Sequence, residues 1–121
     1  MKEQAAILED RLVNFAVRVI KVVEALPDTK AGKHIAGQLV RSGTSPALNY
    51  GEAQSAESRG DFLHKMKVCL KELRETLICL KIIERKPMYP RSRLTAILKE
   101  SDELISIFVK SIHTAEQNKR P

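Results

Sequence analysis

Tryptophan is absent from this 121-residue chain, and two tyrosines and three phenylalanines bring the aromatic share to only 4%. So few rings leave little on which to stack nucleobases, which argues against RNA-recognition and OB modules and calls for an aliphatic core. Cysteine is scarce as well. Cys69 and Cys79 lie ten residues apart in one helical pattern, about 15 Å along an axis rising about 1.5 Å per residue, too far to bridge within an intact helix. Free thiols fit a reducing compartment. No apolar run approaches membrane-spanning length, and Met1-Lys2-Glu3-Gln4 opens an amphipathic pattern in place of a charged region followed by an apolar stretch. The expected location is the cytoplasm, with no membrane partner. There is no Gly-rich phosphate loop of the Walker or dinucleotide form, and no segment alternates as a half-buried strand does.

What is present is an ordinary balance for one soluble domain. Hydrophobic residues make up 43% and charged residues 30%, enough to bury a single core and too short a chain for two. Lysine and arginine outnumber aspartate and glutamate by 21 to 15, a formal charge of +6, so an anionic partner is an open option.

Apolar residues recur at helical spacing in four segments. In the first, expected over about 5–26, they are Ile7, Leu8, Leu12, Phe15, Val19, Val22, Val23 and Leu26, and Pro27-Asp28 ends it. The second, over about 30–56, carries Ile35, Ala36, Leu39, Gly43, Ala47 and Tyr50, a stripe of small residues that lets another helix come close. Pro46 sits inside it, and a missing backbone donor predicts a kink or local break near Ser42 to Ser45. Ser58-Arg59-Gly60-Asp61 has the form of a capping box and starts the third segment, over about 59–85, with Phe62, Met66, Cys69, Leu70, Leu73, Leu77 and Leu80 inward. Lys86-Pro87-Met88-Tyr89-Pro90 is a loop. The fourth segment, over about 91–116, turns in Leu94, Ile97, Leu98, Leu104, Ile105, Phe108 and Ile112, and a polar tail follows from Gln117. Four similar helices with short connectors predict one all-α domain over residues 1–121, an antiparallel up-down-up-down four-helix bundle.

Few residues suggest chemistry. Asp61-x-x-His64 has no second copy, and His34 and His113 stand alone, so no metal or other cofactor is expected. Neither cysteine has a neighbouring histidine, and Cys69 belongs to the core stripe. Arg59 and His64 resemble the Arg-x4-6-His signature of the HEPN ribonucleases, in which a cation and a proton-handling imidazole act on an RNA 2′-hydroxyl and its phosphate. That is the enzymatic alternative, set against a plain helix start with a surface histidine.

Two polar faces stand out. On the third helix Lys67, Lys71, Arg74, Lys81 and Arg85 fall within about 40° of one direction at about 100° per residue, while Glu72 and Glu75 point to another sector. Like charges four residues apart cost about 0.2 to 0.5 kcal/mol per pair, so helix stability does not account for the stripe. It suits phosphate contact, or a solvated face partly paired with a neighbour's acids. On the second helix Gln38, Arg41, Ser45, Asn49 and Glu52 share one side. Arg41 and Glu52 are too far apart to pair directly, so any bridging must run through Ser45 and Asn49 or across to another chain, and the set is expected to register a subunit interface or to satisfy carbonyls freed at Pro46.

The run Arg41-Ser-Gly-Thr-Ser-Pro-Ala-Leu-Asn-Tyr-Gly-Glu-Ala53 is followed by Arg59-Gly-Asp-Phe-Leu-His-Lys-Met-Lys67 and Lys71-Glu-Leu-Arg-Glu-Thr76. Together they resemble the bacterial four-helix bundle proteins encoded in intervening sequences of 23S ribosomal RNA genes. Arg41, Ser42, Thr44, Ser45, Asn49 and Glu52 match that family's signature and are the residues expected at the oligomer interface. The resemblance implies a four-helix bundle assembling as a homopentamer. It also implies distant kinship to accessory proteins of diversity-generating retroelements, which bind a reverse transcriptase and nucleic acid. It supplies no catalytic assignment. The function expected is a non-enzymatic, homo-oligomeric accessory or scaffold protein contacting RNA or DNA through its basic face. The alternatives are a protein-binding adaptor and the Arg59–His64 ribonuclease.

Overall fold

The computed structural model describes residues 2–118, which form four helices: α1 (Lys2–Ala25), α2 (Lys30–Gln54), α3 (Arg59–Arg85) and α4 (Arg91–Gln117). The expected tail begins at the last helical residue, and its positions 119–121 lie outside the described residues. Two starts are set by hydroxyl caps that take up otherwise unpaired N–H groups. Gly32 N donates to Thr29 Oγ1 at 3.0 Å, and Asp61 N donates to Ser58 Oγ at 3.0 Å. The capping box at Ser58 is displaced on its acidic side, because Asp61 Oδ2 accepts from the N–H of Glu57, at 3.4 Å. Helix α4 starts after Pro90 with no side-chain cap.

Helix α2 runs unbroken from Lys30 to Gln54 with Pro46 inside it, so the local break does not occur. The ring removes the N–H that would have bonded to the Ser42 carbonyl, but Pro46 is itself fully buried and its carbonyl accepts from the Cys69 thiol at 3.5 Å.

Consecutive helices pack along their lengths, α1 on α2, α2 on α3 and α3 on α4, while the α1–α4 approach is much more limited. Helices α1 and α3 do not approach closely and so occupy opposite corners. Contacts between α2 and α3 step in opposite senses, from Glu52 with Lys65, through Pro46 with Cys69, to Ser42 with Thr76. Those between α3 and α4 do the same, from Arg59 with Ala115 to Glu84 with Arg91. Both pairs are therefore antiparallel.

The core joins Leu12, Phe15 and Val19 of α1, Leu39 and Tyr50 of α2, Met66, Cys69, Leu73, Leu80 and Ile83 of α3, and Leu94, Ile97, Leu104 and Phe108 of α4. It is aliphatic, as the shortage of rings requires. Tyr50 and Phe108 meet edge to face, with centroids 5.8 Å apart. The small-residue stripe of α2 acts as expected at Gly43, where an added Cβ would stand 2.6 Å from Val19 Cγ1. One residue departs from the expected core. Ile7 is 62% exposed, because the α1 end that carries it borders an open groove. Among the described residues, no helix is long and apolar enough to cross a membrane.

Candidate nucleic-acid interface

The five cations of the α3 stripe, Lys67, Lys71, Arg74, Lys81 and Arg85, are all exposed, as a helix with its apolar stripe on the core requires. Lys67 is tied to α4 by an ion pair with Glu116, Nζ to Oε2 at 3.0 Å. Among the described residues no carboxylate pairs with Lys71, Arg74, Lys81 or Arg85. Those four cover about 21 Å of helix at about 1.5 Å per residue. The acids of the same helix are spent elsewhere, because Glu72 and Glu75 turn toward α2.

Two features of this face went unread in the sequence. Ile78 and Ile82 are exposed in its middle, at 55% and 42%. Their angular position is the signal that places them there, since Ile78 falls among the stripe's cations at about 100° per residue.

The α2 signature residues divide into an inner and an outer set. Arg41 Nη1 donates to Glu72 Oε1 at 2.7 Å, and its Nη2 donates to Glu75 and, at 3.3 Å, to Gln38 Oε1. Glu72 is buried, so this guanidinium compensates a carboxylate withdrawn from water. Ser42 is fully buried between α2 and α3 beside Thr76, the two hydroxyl oxygens 2.9 Å apart. Thr76 Oγ1 is also 2.8 Å from the Glu72 carbonyl, which can only accept. Thr44 Oγ1 donates to the Val40 carbonyl at 2.7 Å, and Asn49 Nδ2 donates to the Ser45 carbonyl and hydroxyl at 3.0 and 2.8 Å. Glu52 accepts from Lys65 Nζ at 2.6 Å.

These placements correct the sequence reading in two respects. Ser42, expected at a subunit interface, is unavailable to a neighbour because it packs inside the bundle. Arg41 and Glu52 need no bridge through Ser45 and Asn49, since each finds its own partner on α3.

Arg59 and His64 are not drawn together. Five residues on one helix place them about 140° apart, and Arg59 Nη2 donates to the Ala115 carbonyl in the last turn of α4 at 2.6 Å. That is a favourable place for a cation. His64 is exposed.

Both thiols are buried. Burial pushes Cys69 up to about 12, and burial followed by the nearby Glu75 charge raises Cys79. Protonated, shielded thiols are weak nucleophiles, in keeping with Cys69 as core packing. Among the described residues no group of three or more His, Cys, Asp or Glu could hold a metal ion. An open groove of about 650 Å³ lies where Ile7 and Leu8 of α1 face Phe62 and Met66 of α3 and Ile107 of α4.

The sequence matches the 23S rRNA-intervening sequence protein family over residues 7–110, which take in all of α2 and α3 and most of α1 and α4. The chain belongs to this family. The 23S rRNA-intervening sequence fold is also seen in a solved structure of a protein of unknown function from the S23 ribosomal protein family of Bacteroides thetaiotaomicron. It is 30% identical, with a TM-score of 0.82 over 90% of this chain and 97% of that one. No curated protein matches the chain. Of the α2 polar residues, Arg41, Ser42 and Glu52 reach across to α3, while Thr44, Ser45 and Asn49 bond within α2.

Proposed function

We propose that this intervening-sequence family member is a non-enzymatic, cytoplasmic accessory or scaffold protein. It self-associates, as a pentamer on the family resemblance, and contacts structured RNA or DNA through the outward face of α3. The observation that supports this reading is the uncompensated charge of Lys71, Arg74, Lys81 and Arg85 on a helix whose own acids pair elsewhere. Such a row suits phosphates, whose neutralisation needs cations along a backbone more than base-reading geometry. Repetition of the row in an assembly adds contacts as avidity.

The test is fluorescence anisotropy of the purified protein against a labelled structured RNA and a matched DNA duplex across a salt series. Submicromolar binding is expected, with log K falling by about 0.7 to 0.9 per phosphate contact for each unit of log salt. Replacing Lys71, Arg74 and Lys81 by Glu should abolish retention without unfolding, and the labelled RNA should stay intact through long incubation. Failure to bind at low salt removes the phosphate reading.

A second reading, a protein-binding adaptor, is favoured by the apolar groove beside Ile7, Phe62 and Met66. Pull-down of a protein partner insensitive to nuclease, together with absent anisotropy change, is the result that prefers it.

A further inference from the structure

The α1–α4 seam changes character along its length. Midway, Arg11 of α1 is answered by Glu100 and Glu103 of α4. Seven residues further along α1 stands Arg18, and seven residues back along α4 from Glu100 stands Arg93. Two turns, or about 10 Å, beyond a matched pair, the same antiparallel register therefore sets cation against cation. Lys21, one turn on from Arg18, joins them. All three line one small pocket of about 130 Å³, together with Tyr89 from the α3–α4 connector and the buried side chains of Val22 and Ile97.

Among the described residues no carboxylate pairs with Arg18, Lys21 or Arg93, and the Tyr89 hydroxyl bonds to no protein group. Asp28 and Glu84 pair with Lys33 and Arg91 instead, and Glu24 lies about 120° round α1 from Arg18. Cations on the other seams are treated differently, since Arg11, Arg41, Lys65 and Lys67 each reach an acid on a facing helix. Arg18 is partly buried, so its repulsion from Arg93 is screened less than that between free surface charges. The pocket also reaches the first turn of α4, whose start carries no side-chain cap, and the positive end of that helix dipole adds to the field. Apolar walls beside the charges concentrate it further.

We propose that this pocket is an anion site, in which Arg18, Lys21 and Arg93 hold one phosphate dianion, as the free ion or as the head of a phosphomonoester. A volume of about 130 Å³ is well below the roughly 300 Å³ and more of pockets that enclose drug-sized ligands, so a phosphate group fits and whatever carries it stays outside. Three cations match two negative charges better than the single charge of a backbone phosphodiester. The two arginines bring forked donors suited to phosphate oxygens, and Tyr89 brings a neutral one. None of these residues belongs to the α3 row, so the inference goes beyond the nucleic-acid reading and does not depend on it.

The test is thermal unfolding of the full chain titrated with sodium phosphate, with sodium chloride holding the ionic strength constant and calorimetric titration giving the Kd. The Tm should rise with phosphate, and the Kd should be about 1 mM or tighter, because a ligand that prefers the folded state stabilises it by mass action. Arg93→Glu copies the Arg11–Glu100 pairing at this level. It should unfold no earlier than the wild type in the absence of phosphate, yet bind phosphate about tenfold or more weakly. Arg18→Gln should lose the response as well and serves if the first variant misfolds by circular dichroism. Combined replacement of Lys71, Arg74 and Lys81 by Glu should leave the response intact, which separates the pocket from the α3 row. Phenyl phosphate titrated in parallel distinguishes the two sources: binding as tight as that of inorganic phosphate assigns a phosphomonoester, much weaker binding the free ion, and either supports the site. Phosphate that acts no better than chloride, or equally on the wild type and both pocket variants, overturns it. A silent phosphate titration with weakened RNA anisotropy in Arg93→Glu overturns the dianion site and gives the pocket to backbone phosphodiesters.

Discussion

The α2–α3 seam and the α1–α4 seam are built on opposite plans within one bundle. Along the first, polar groups are internal: Ser42 and Thr76 are fully buried, Glu72 is nearly so, and Arg41 closes over it from the rim. Along the second, the backbones approach over only a limited stretch. Arg11 pairs with Glu100 at 2.7 Å and Glu103 at 3.2 Å, nearer the surface, and one end opens into the apolar groove. A buried carboxylate must be met with an oriented partner, whereas partly exposed ones can fall back on water. Arg41 and Ser42 thus lie on the seam where a lost polar partner costs more.

Two substitutions grade that difference and a third, on the α1–α2 contact, sets the scale, each read as the shift in a urea unfolding curve. Gly43→Ala should cost most, about 2 to 3 kcal/mol, since overpacking a filled core is expensive. The new methyl would meet Val19 Cγ1 and Cγ2 at 2.6 and 2.8 Å, and a valine stiff at χ1 has little room to yield. Arg41→Ala should cost about 2 kcal/mol, below the usual loss for breaking a fully buried pair because the arginine is itself half in water. Adding Glu72→Met should recover most of it. If Arg41→Ala instead behaves as a surface change, the buried carboxylate is not held by this guanidinium. Arg11→Ala on the opposite seam should cost least, about 0.5 to 1 kcal/mol. A loss equal to that of Arg41→Ala would erase the contrast between the two seams.

Much of the fold was legible from spacing. The helix starts at 30, 59 and 91 and the inward positions of Cys69, Leu73, Leu104 and Phe108 follow from local rules of capping and period. The hydroxyl caps at Thr29 and Ser58 depend only on residues within one turn, and Ser58 was readable for that reason. The burial of Ser42, Thr76 and Glu72 was not readable. A polar residue on the flank of an apolar stripe is turned inward or outward by the rotation of the neighbouring helix, and no local period encodes that rotation. Ile78 shows the converse. It reads as one more apolar residue of a helix, yet its direction leaves it among the cations on the outside.

The candidate interface divides in the same way. That Lys71, Arg74, Lys81 and Arg85 share one face is a property of helical geometry alone, and the sequence by itself determined it. That they stay unpaired was decided in three dimensions, because Arg41 of α2 draws Glu72 and Glu75 to the other side of α3. The amino-acid order therefore settled where the helices begin, which side of each is apolar, and that the core is aliphatic. These depend on interactions three or four residues apart. Only the packed bundle decided which charges cancel, which hydroxyls are buried and which aliphatic side chains remain outside. Those outcomes depend on the register and rotation of helices brought together from more than thirty positions apart.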